Sequence, residues 1–194
     1  MIYPFAKYFN PSSPVGAQGA SKFPRGGTGG FFLIGFMGSG KTYWGKRWSE
    51  KSGLLFFDID DMVEEQQGKT AAQIFAEDGE DFFRDLETTA LRSFAGKNNV
   101  IVACGGGTPC YNDNVSWMNE NGTSIYLRSS PEKILERLVT EIEKRPLIKN
   151  MQGLELLFYI TEKIKEREFY YGQAKIILDI DELPQNYVPE FLNL

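Results

Sequence analysis

The stretch FFLIGFMGSGKTYWGKRW, residues 31–48, constrains this chain more than any other. An apolar run leads into Gly35–Thr42, GFMGSGKT, which fits the pattern G-x-x-x-x-G-K-[ST], and a charged, helix-compatible segment follows. The glycines let backbone N–H groups turn toward a polyphosphate, and a helix beginning near Lys41 aims its positive end at the same point. The Lys41 ammonium reaches the outer phosphates and the Thr42 hydroxyl can ligate Mg²⁺. A bland Gly-rich turn with a surface lysine would share the glycines. The strand-like run before the motif and the helix-like run after it favour the phosphate site.

Short apolar runs alternate with amphipathic segments over the rest of the chain. Strands are expected at 31–35, 54–58, 99–104, 123–128 and 175–180, and helices near 41–52, 61–67, 70–77, 80–95, 112–120, 131–140 and 153–171. In 80–95, Phe83, Leu86, Ala90, Leu91 and Phe94 recur every three to four residues and define one apolar face. Strands alternating with helices imply βαβ crossovers and a parallel sheet covered on both faces, with ligands collecting at the carboxyl ends of its strands. Residues 1–29, rich in Pro, Gly and Ser and without periodicity, are expected to be a flexible leader to a single domain over 30–194. The charged stretch 141–153, interrupted by Pro146 and closed by Gly153, is expected to be a mobile lid.

Composition narrows the chemistry. Residues 1–49 hold six Lys/Arg and no Asp/Glu, which leaves the other 145 residues with a balance of −11. That is a poor footprint for nucleic acid, so phosphate binding is expected from a local backbone pocket. No run approaches the roughly 18 apolar residues of a membrane span. The two cysteines, Cys104 and Cys110, in a chain with no histidine argue against both a zinc site and a disulfide framework, and a reducing cytoplasmic setting is expected. Any general base must be a carboxylate, lysine or phenol. A monomer is the default expectation.

Several residues point to a second ligand beside the nucleotide. After the second expected strand comes FFDIDD, where strand alternation would set Asp58 and Asp60 on one side, one for a metal and one for an acceptor hydroxyl, while Asp61 with Glu64 would cap the next helix. VIVACGGGTP ends an apolar run in Gly105, Gly106 and Gly107, and three consecutive glycines permit close backbone approach to a ligand where a simple turn needs only one. Arg84 can be held by Glu87 at i+3, Arg145 lies in the lid, and Arg167 lies near the end of the last helix. Each arginine taken alone reads equally well as solvated surface. Two guanidinium groups facing one small molecule would imply an anionic acceptor.

Taken together, GFMGSGKT, DID, FFRDLE, GGGT, KRPL and R-x-x-x-Y from Arg167 to Tyr171 resemble the shikimate kinases, a branch of the P-loop small-molecule kinases, over roughly residues 31–183. The resemblance implies a P-loop NTPase fold, a three-layer α/β/α sandwich with a central five-stranded parallel sheet and a mobile lid. It implies ATP- and Mg²⁺-dependent phosphorylation of shikimate at its 3-hydroxyl, on the way to chorismate and the aromatic amino acids. It assigns Gly38, Ser39, Gly40, Lys41, Thr42 and Tyr43 to the ATP phosphates, with Thr42 and Asp58 at the metal. Asp60, Arg84, Gly105, Gly106, Gly107 and Arg167 would meet shikimate, Arg145 the ATP and the transferred phosphate, and Arg137 the adenine. Lys41, Asp60 and Arg145 would be catalytic. The chain departs from the family's pattern at Phe169, where proline is common, and in the segment between Arg137 and Arg145. A kinase for another hydroxy acid such as gluconate, and a catalytically silent nucleotide-binding protein, are the competing readings.

Overall fold

The computed structural model of the protein describes residues 29–140 and 148–192. The expected leader, apart from Gly29, and the part of the expected lid that carries Arg145 lie outside the described residues. Five strands, β1 (Gly30–Ile34), β2 (Leu55–Asp58), β3 (Val100–Ala103), β4 (Gly122–Arg128) and β5 (Ile176–Asp179), form one parallel sheet in the order β2-β3-β1-β4-β5. Between them run α1 (Lys41–Ser52), α2 (Ile59–Gln67), α3 (Ala71–Glu77), α4 (Glu80–Arg92), α5 (Asn114–Asn121), α6 (Pro131–Val139) and α7 (Gly153–Tyr171).

The strands bury both faces, which is why they read as continuous apolar runs. In β1, Phe31 and Leu33 face one side and join Ile101, Ile125 and Leu127 beneath Trp44 and Trp48 of α1. Phe32 and Ile34 face the other and join Val102, Tyr126, Phe83 and Leu91 of α4, and Ile160 and Tyr171 of α7. Trp48 is fully buried and its indole N–H donates to the Tyr187 carbonyl at 3.1 Å, so α1 is anchored by packing and by a satisfied polar tip. Truncating such a residue to alanine costs on the order of 3–5 kcal/mol.

The chain leaves β1 toward β2 on one side of the sheet and leaves β3 toward β4 on the other. The crevice between the carboxyl ends of β1 and β3 is therefore the switch point where an open α/β sheet takes its ligands. Loops 35–40 and 104–107 meet there, and a Cβ on Gly106 would lie 3.3 Å from the backbone nitrogen of Met37.

Two expected boundaries move for physical reasons. Helix α2 begins at Ile59 because the chain turns immediately after Asp58, whose side chain caps it by accepting from the Asp60 N–H at 3.1 Å. Asp61 is not the cap, and Glu64 serves α3 by accepting from the Ala71 N–H at 2.7 Å. Helix α4 stops at Arg92, and Ser93–Gly96 continue as turns that end on Gly96 at φ 71°.

Candidate active site

The phosphate turn is built by backbone geometry that its glycines alone supply at little strain. Gly38 and Gly40 sit at φ 76° and 81°, and Gly40 caps α1 without any side-chain hydrogen bond. The first N–H groups of α1 have no partner within the helix and project from its positive end, and the first such carbonyl bond is made by Trp44 N–H to Gly40 at 2.9 Å. The Lys41 ammonium donates to the carbonyls of Gly35 and Phe36 at 2.8 and 2.9 Å. The Ser39 hydroxyl is buried and has no hydrogen-bond partner. An orphaned buried hydroxyl, a helix start capped by backbone alone and an ammonium on a glycine turn fit a polyphosphate.

The two residues expected at a metal also meet. Thr42 donates its hydroxyl to Asp58 Oδ2 at 2.8 Å, joining the first turn of α1 to the end of β2. Hard oxygen groups of this kind suit Mg²⁺, which keeps several waters and takes phosphate oxygens as further ligands. Among the described residues no group of three or more His, Cys, Asp or Glu side chains could hold a metal without such help. The alternation argument for Asp60 does not hold: strand β2 ends at Asp58, and Asp60 reaches the cleft from the first turn of α2.

Asp60 lines a cavity of about 400 Å³, together with Arg84, Glu87, the three glycines and Arg167, and Met37 of the phosphate turn forms part of its wall. Asp60 Oδ1 is buried without a hydrogen-bond partner. Burial, reinforced by the charges of Glu87 and Asp58 and opposed by Lys41 and Arg84, raises its pKa from 3.8 to about 7.

Arg84 is not solvated surface. It is buried on α4, donates from Nη1 to Glu87 Oε2 at 2.6 Å and from Nε and Nη2 to Glu80 Oε1 at 3.2 and 2.8 Å. Glu87 is wholly buried, and burial raises its pKa against the pull of Arg84 and of the Thr108 hydroxyl that donates to its Oε1. Two of the three glycines are explained by this network. A Cβ on Gly105 would come within 2.1 Å of Glu87 Oε1 and 2.8 Å of Asp60 Oδ1, and one on Gly107 within 2.6 Å of the Arg84 Cζ. Their backbone approaches the protein's own charged groups along the wall of the cavity. Gly106 lies between the phosphate turn and Arg167, whose Nη1 would be 3.4 Å from an added Cβ.

Arg167 reaches the cavity from α7 with its guanidinium 5.6 Å from the Phe36 ring centroid and close enough to Tyr171 for the two to interact electrostatically. The Tyr171 hydroxyl donates to the Gly106 carbonyl at 2.6 Å. Phe169 is exposed and α7 continues past it to Tyr171, so the missing proline leaves Arg167 on an intact helix. Arg137 lies beside the phosphate turn, donating to the Gly38 carbonyl at 3.3 Å, to Ser129 Oγ at 3.0 Å and to Asp181 at 3.2 Å. Tyr43 is half exposed with its ring edge-on to Trp44 and near Arg47, so its backbone N–H is what it can offer a phosphate. Arg145 is outside the described residues.

Sequence reasoning missed three contributors. Thr108 fixes Glu87, and its only signal was its place directly after the glycine run. Asn114 is buried and donates to the Thr108 carbonyl at 2.9 Å, from across a turn in which Asn112 and Asp113 take positive φ. Asp181 gathers Ser129, Ser130 and Arg137 from across the sheet edge, over separations no local pattern reveals.

A parallel sheet with a glycine-built phosphate turn at its switch point, a paired hydroxyl and carboxylate for a metal, and an adjoining cavity with a buried carboxyl group and two arginines define a P-loop kinase of a small anionic acceptor. Comparison with known proteins makes the class particular. The family model for shikimate kinase matches residues 37–194. A shikimate kinase of Phocaeicola vulgatus is 41% identical over 152 residues, 78% of this chain and 87% of that one. Among solved structures, a shikimate kinase from Bacteroides thetaiotaomicron aligns with TM-score 0.76 and 37% identity, over 79% of this chain and 88% of that one. One from Acinetobacter baumannii, solved in complex with shikimate, aligns with TM-score 0.73 and 28% identity, over 81% and 87%. The chain belongs to the shikimate kinase family.

Proposed function

We propose how this chain's residues divide the work of its reaction, transfer of the γ-phosphoryl group of ATP, with Mg²⁺, to the 3-hydroxyl of shikimate. The products are shikimate 3-phosphate and ADP, on the route to chorismate and the aromatic amino acids. Gly38 to Tyr43 hold the phosphates through backbone N–H groups and Lys41, with Arg137 flanking the nucleotide beside Gly38. Thr42 and Asp58 hold Mg²⁺, which screens charge on the phosphate oxygens when bound. Arg84 and Arg167 take the shikimate carboxylate, while Gly105, Gly106 and Gly107 shape the floor of its pocket. Asp60 orients the attacking hydroxyl and accepts its proton. A carboxyl group poised near neutrality suits that task in a chain without histidine.

Phosphoryl transfer passes through a loose transition state, so positioning and charge stabilisation are most of what a protein must supply. Lys41 and Arg145 stabilise the transferring group. The observation that carries this reading is the partnerless Asp60 oxygen in a cavity flanked by two arginines and walled by Met37 of the phosphate turn. The acidic balance and two free cysteines support a cytoplasmic protein that does not bind nucleic acid. No described helix is long and apolar enough to cross a membrane.

Coupled ADP release with shikimate, with gluconate and with no acceptor tests the assignment. Turnover is expected with shikimate alone. Turnover of gluconate with shikimate ignored, or nucleotide binding without any transfer, would select one of the competing readings.

A further inference from the structure

Arg84 has five N–H donors in a fixed planar fork. Glu80 Oε1 takes Nε–H and one hydrogen of Nη2, at 3.2 and 2.8 Å, and Glu87 Oε2 takes one hydrogen of Nη1 at 2.6 Å. One hydrogen remains on each terminal nitrogen; the two on the outer end of the fork are parallel and match the two oxygens of a carboxylate, and that pair is left free when Glu87 takes the Nη1 hydrogen on the Cδ side. The plane of the fork is set as well, since Gly107 lies against it and the Tyr111 ring centroid is 4.9 Å from Cζ. Tyr111 also donates its hydroxyl to the same Glu80 oxygen at 3.2 Å. Glu87 is buried and belongs to the pocket, whereas Glu80 lies outside the cavity lining with its side chain 52% exposed.

We infer that Glu80 is a positioning residue for acceptor binding: steadied by Tyr111, it fixes the rotation of Arg84 so that the remaining pair of N–H groups meets the acceptor's carboxylate. The inference rests on the reading above, in which Arg84 binds that carboxylate. One neutral acceptor oxygen suffices for the contact, because a single Glu80 oxygen receives both Arg84 hydrogens and the Tyr111 hydroxyl. The charge of Glu80 is dispensable, and beside an incoming carboxylate it is mildly unfavourable. Glu80 acts through Arg84 and touches no reacting atom, so its loss is felt in acceptor affinity while nucleotide binding stays as it was.

The test is steady-state kinetics by coupled ADP release on the full chain, with shikimate and ATP varied separately, for Glu80→Ala, Glu80→Gln, Tyr111→Phe and Glu80→Ala with Tyr111→Phe. Glu80→Ala is expected to raise KM for shikimate about 3- to 10-fold, the range of one ordinary hydrogen bond since the effect is passed on through Arg84, with KM for ATP and kcat within about two-fold. Glu80→Gln is expected to restore KM to within about two-fold of the unaltered chain. Tyr111→Phe is expected to give a smaller rise that adds nothing to Glu80→Ala in the double variant. An unchanged or lower KM for shikimate in Glu80→Ala, failure of Gln to rescue, or full additivity with Tyr111→Phe would overturn the inference. These outcomes are distinct from failure of the functional reading, which would show as no shikimate turnover by the unaltered chain.

Discussion

Replacing Asp60 by asparagine separates what this side chain does for the reaction from what its burial costs the fold. Its pKa is raised from 3.8 to about 7, by burial first and then by Glu87 and Asp58. A carboxyl group that holds its proton more tightly when folded contributes most stability at low pH. That contribution is whole below 3.8 and is lost as pH climbs to about 7. From about pH 5 to about pH 8 the unfolded chain has Asp60 ionised throughout. The folded chain releases the proton only near 7, so the loss runs over about two pH units. At about 1.4 kcal/mol per unit the unaltered protein loses about 3 kcal/mol relative to Asp60→Asn over this interval. For a chain of this size that is roughly 5–10 °C in melting temperature. Any fixed cost of placing an amide in the pocket is independent of pH and cancels in the comparison. Urea unfolding of both proteins at the two pH values measures the difference, and coupled ADP release should show kcat reduced by about 100-fold or more in Asp60→Asn. If the stability gap between the two proteins is the same at both pH values, Asp60 does not titrate near neutrality and the argument for it as a poised base fails.

Three further outcomes follow from the geometry. Asp58→Asn should keep the α2 cap, because asparagine caps as well as aspartate, and cost less than about 1 kcal/mol in chemical denaturation. It should nevertheless need several-fold more Mg²⁺ for half-maximal rate; an unchanged Mg²⁺ titration would remove Asp58 from the metal site. Gly105→Ala puts a methyl group 2.1 Å from Glu87 Oε1, so it should destabilise by about 1–3 kcal/mol or more and nearly abolish turnover. A well-folded, active variant would show that the Glu87 contact can yield. Tyr171→Phe removes the hydroxyl that donates to the Gly106 carbonyl beside Arg167 and should raise KM for shikimate several-fold, checked against an unchanged KM for ATP.

Much of the molecule was legible in residues close together in the chain. The phosphate turn needs two glycines, a lysine and a threonine at fixed offsets, because one turn and the first turn of one helix make the whole site. The five strands and seven helices were readable because strands buried on both faces are runs of apolar residues and the helix faces repeat every three to four positions. Arg84 with Glu87 was visible as an i, i+3 pair.

What local pattern left open was decided by packing. Whether Arg84 and Arg167 were surface or site depended on α4 and α7 meeting at one crevice, and on how α4 lies against β3 and its glycine loop. The reason for Gly105 and Gly107 lay in Glu87, Asp60 and Arg84, between 18 and 45 residues away in the chain. Asp60 reached the cleft by a helix turn where alternation suggested a strand, since its own backbone N–H was needed to complete the cap made by Asp58. Sequence alone thus determined the phosphate-binding half, whose contacts are local. Only the tertiary structure assembled the acceptor half, because a pocket for a small molecule is made of side chains drawn from separate elements, and their burial is a property of the fold.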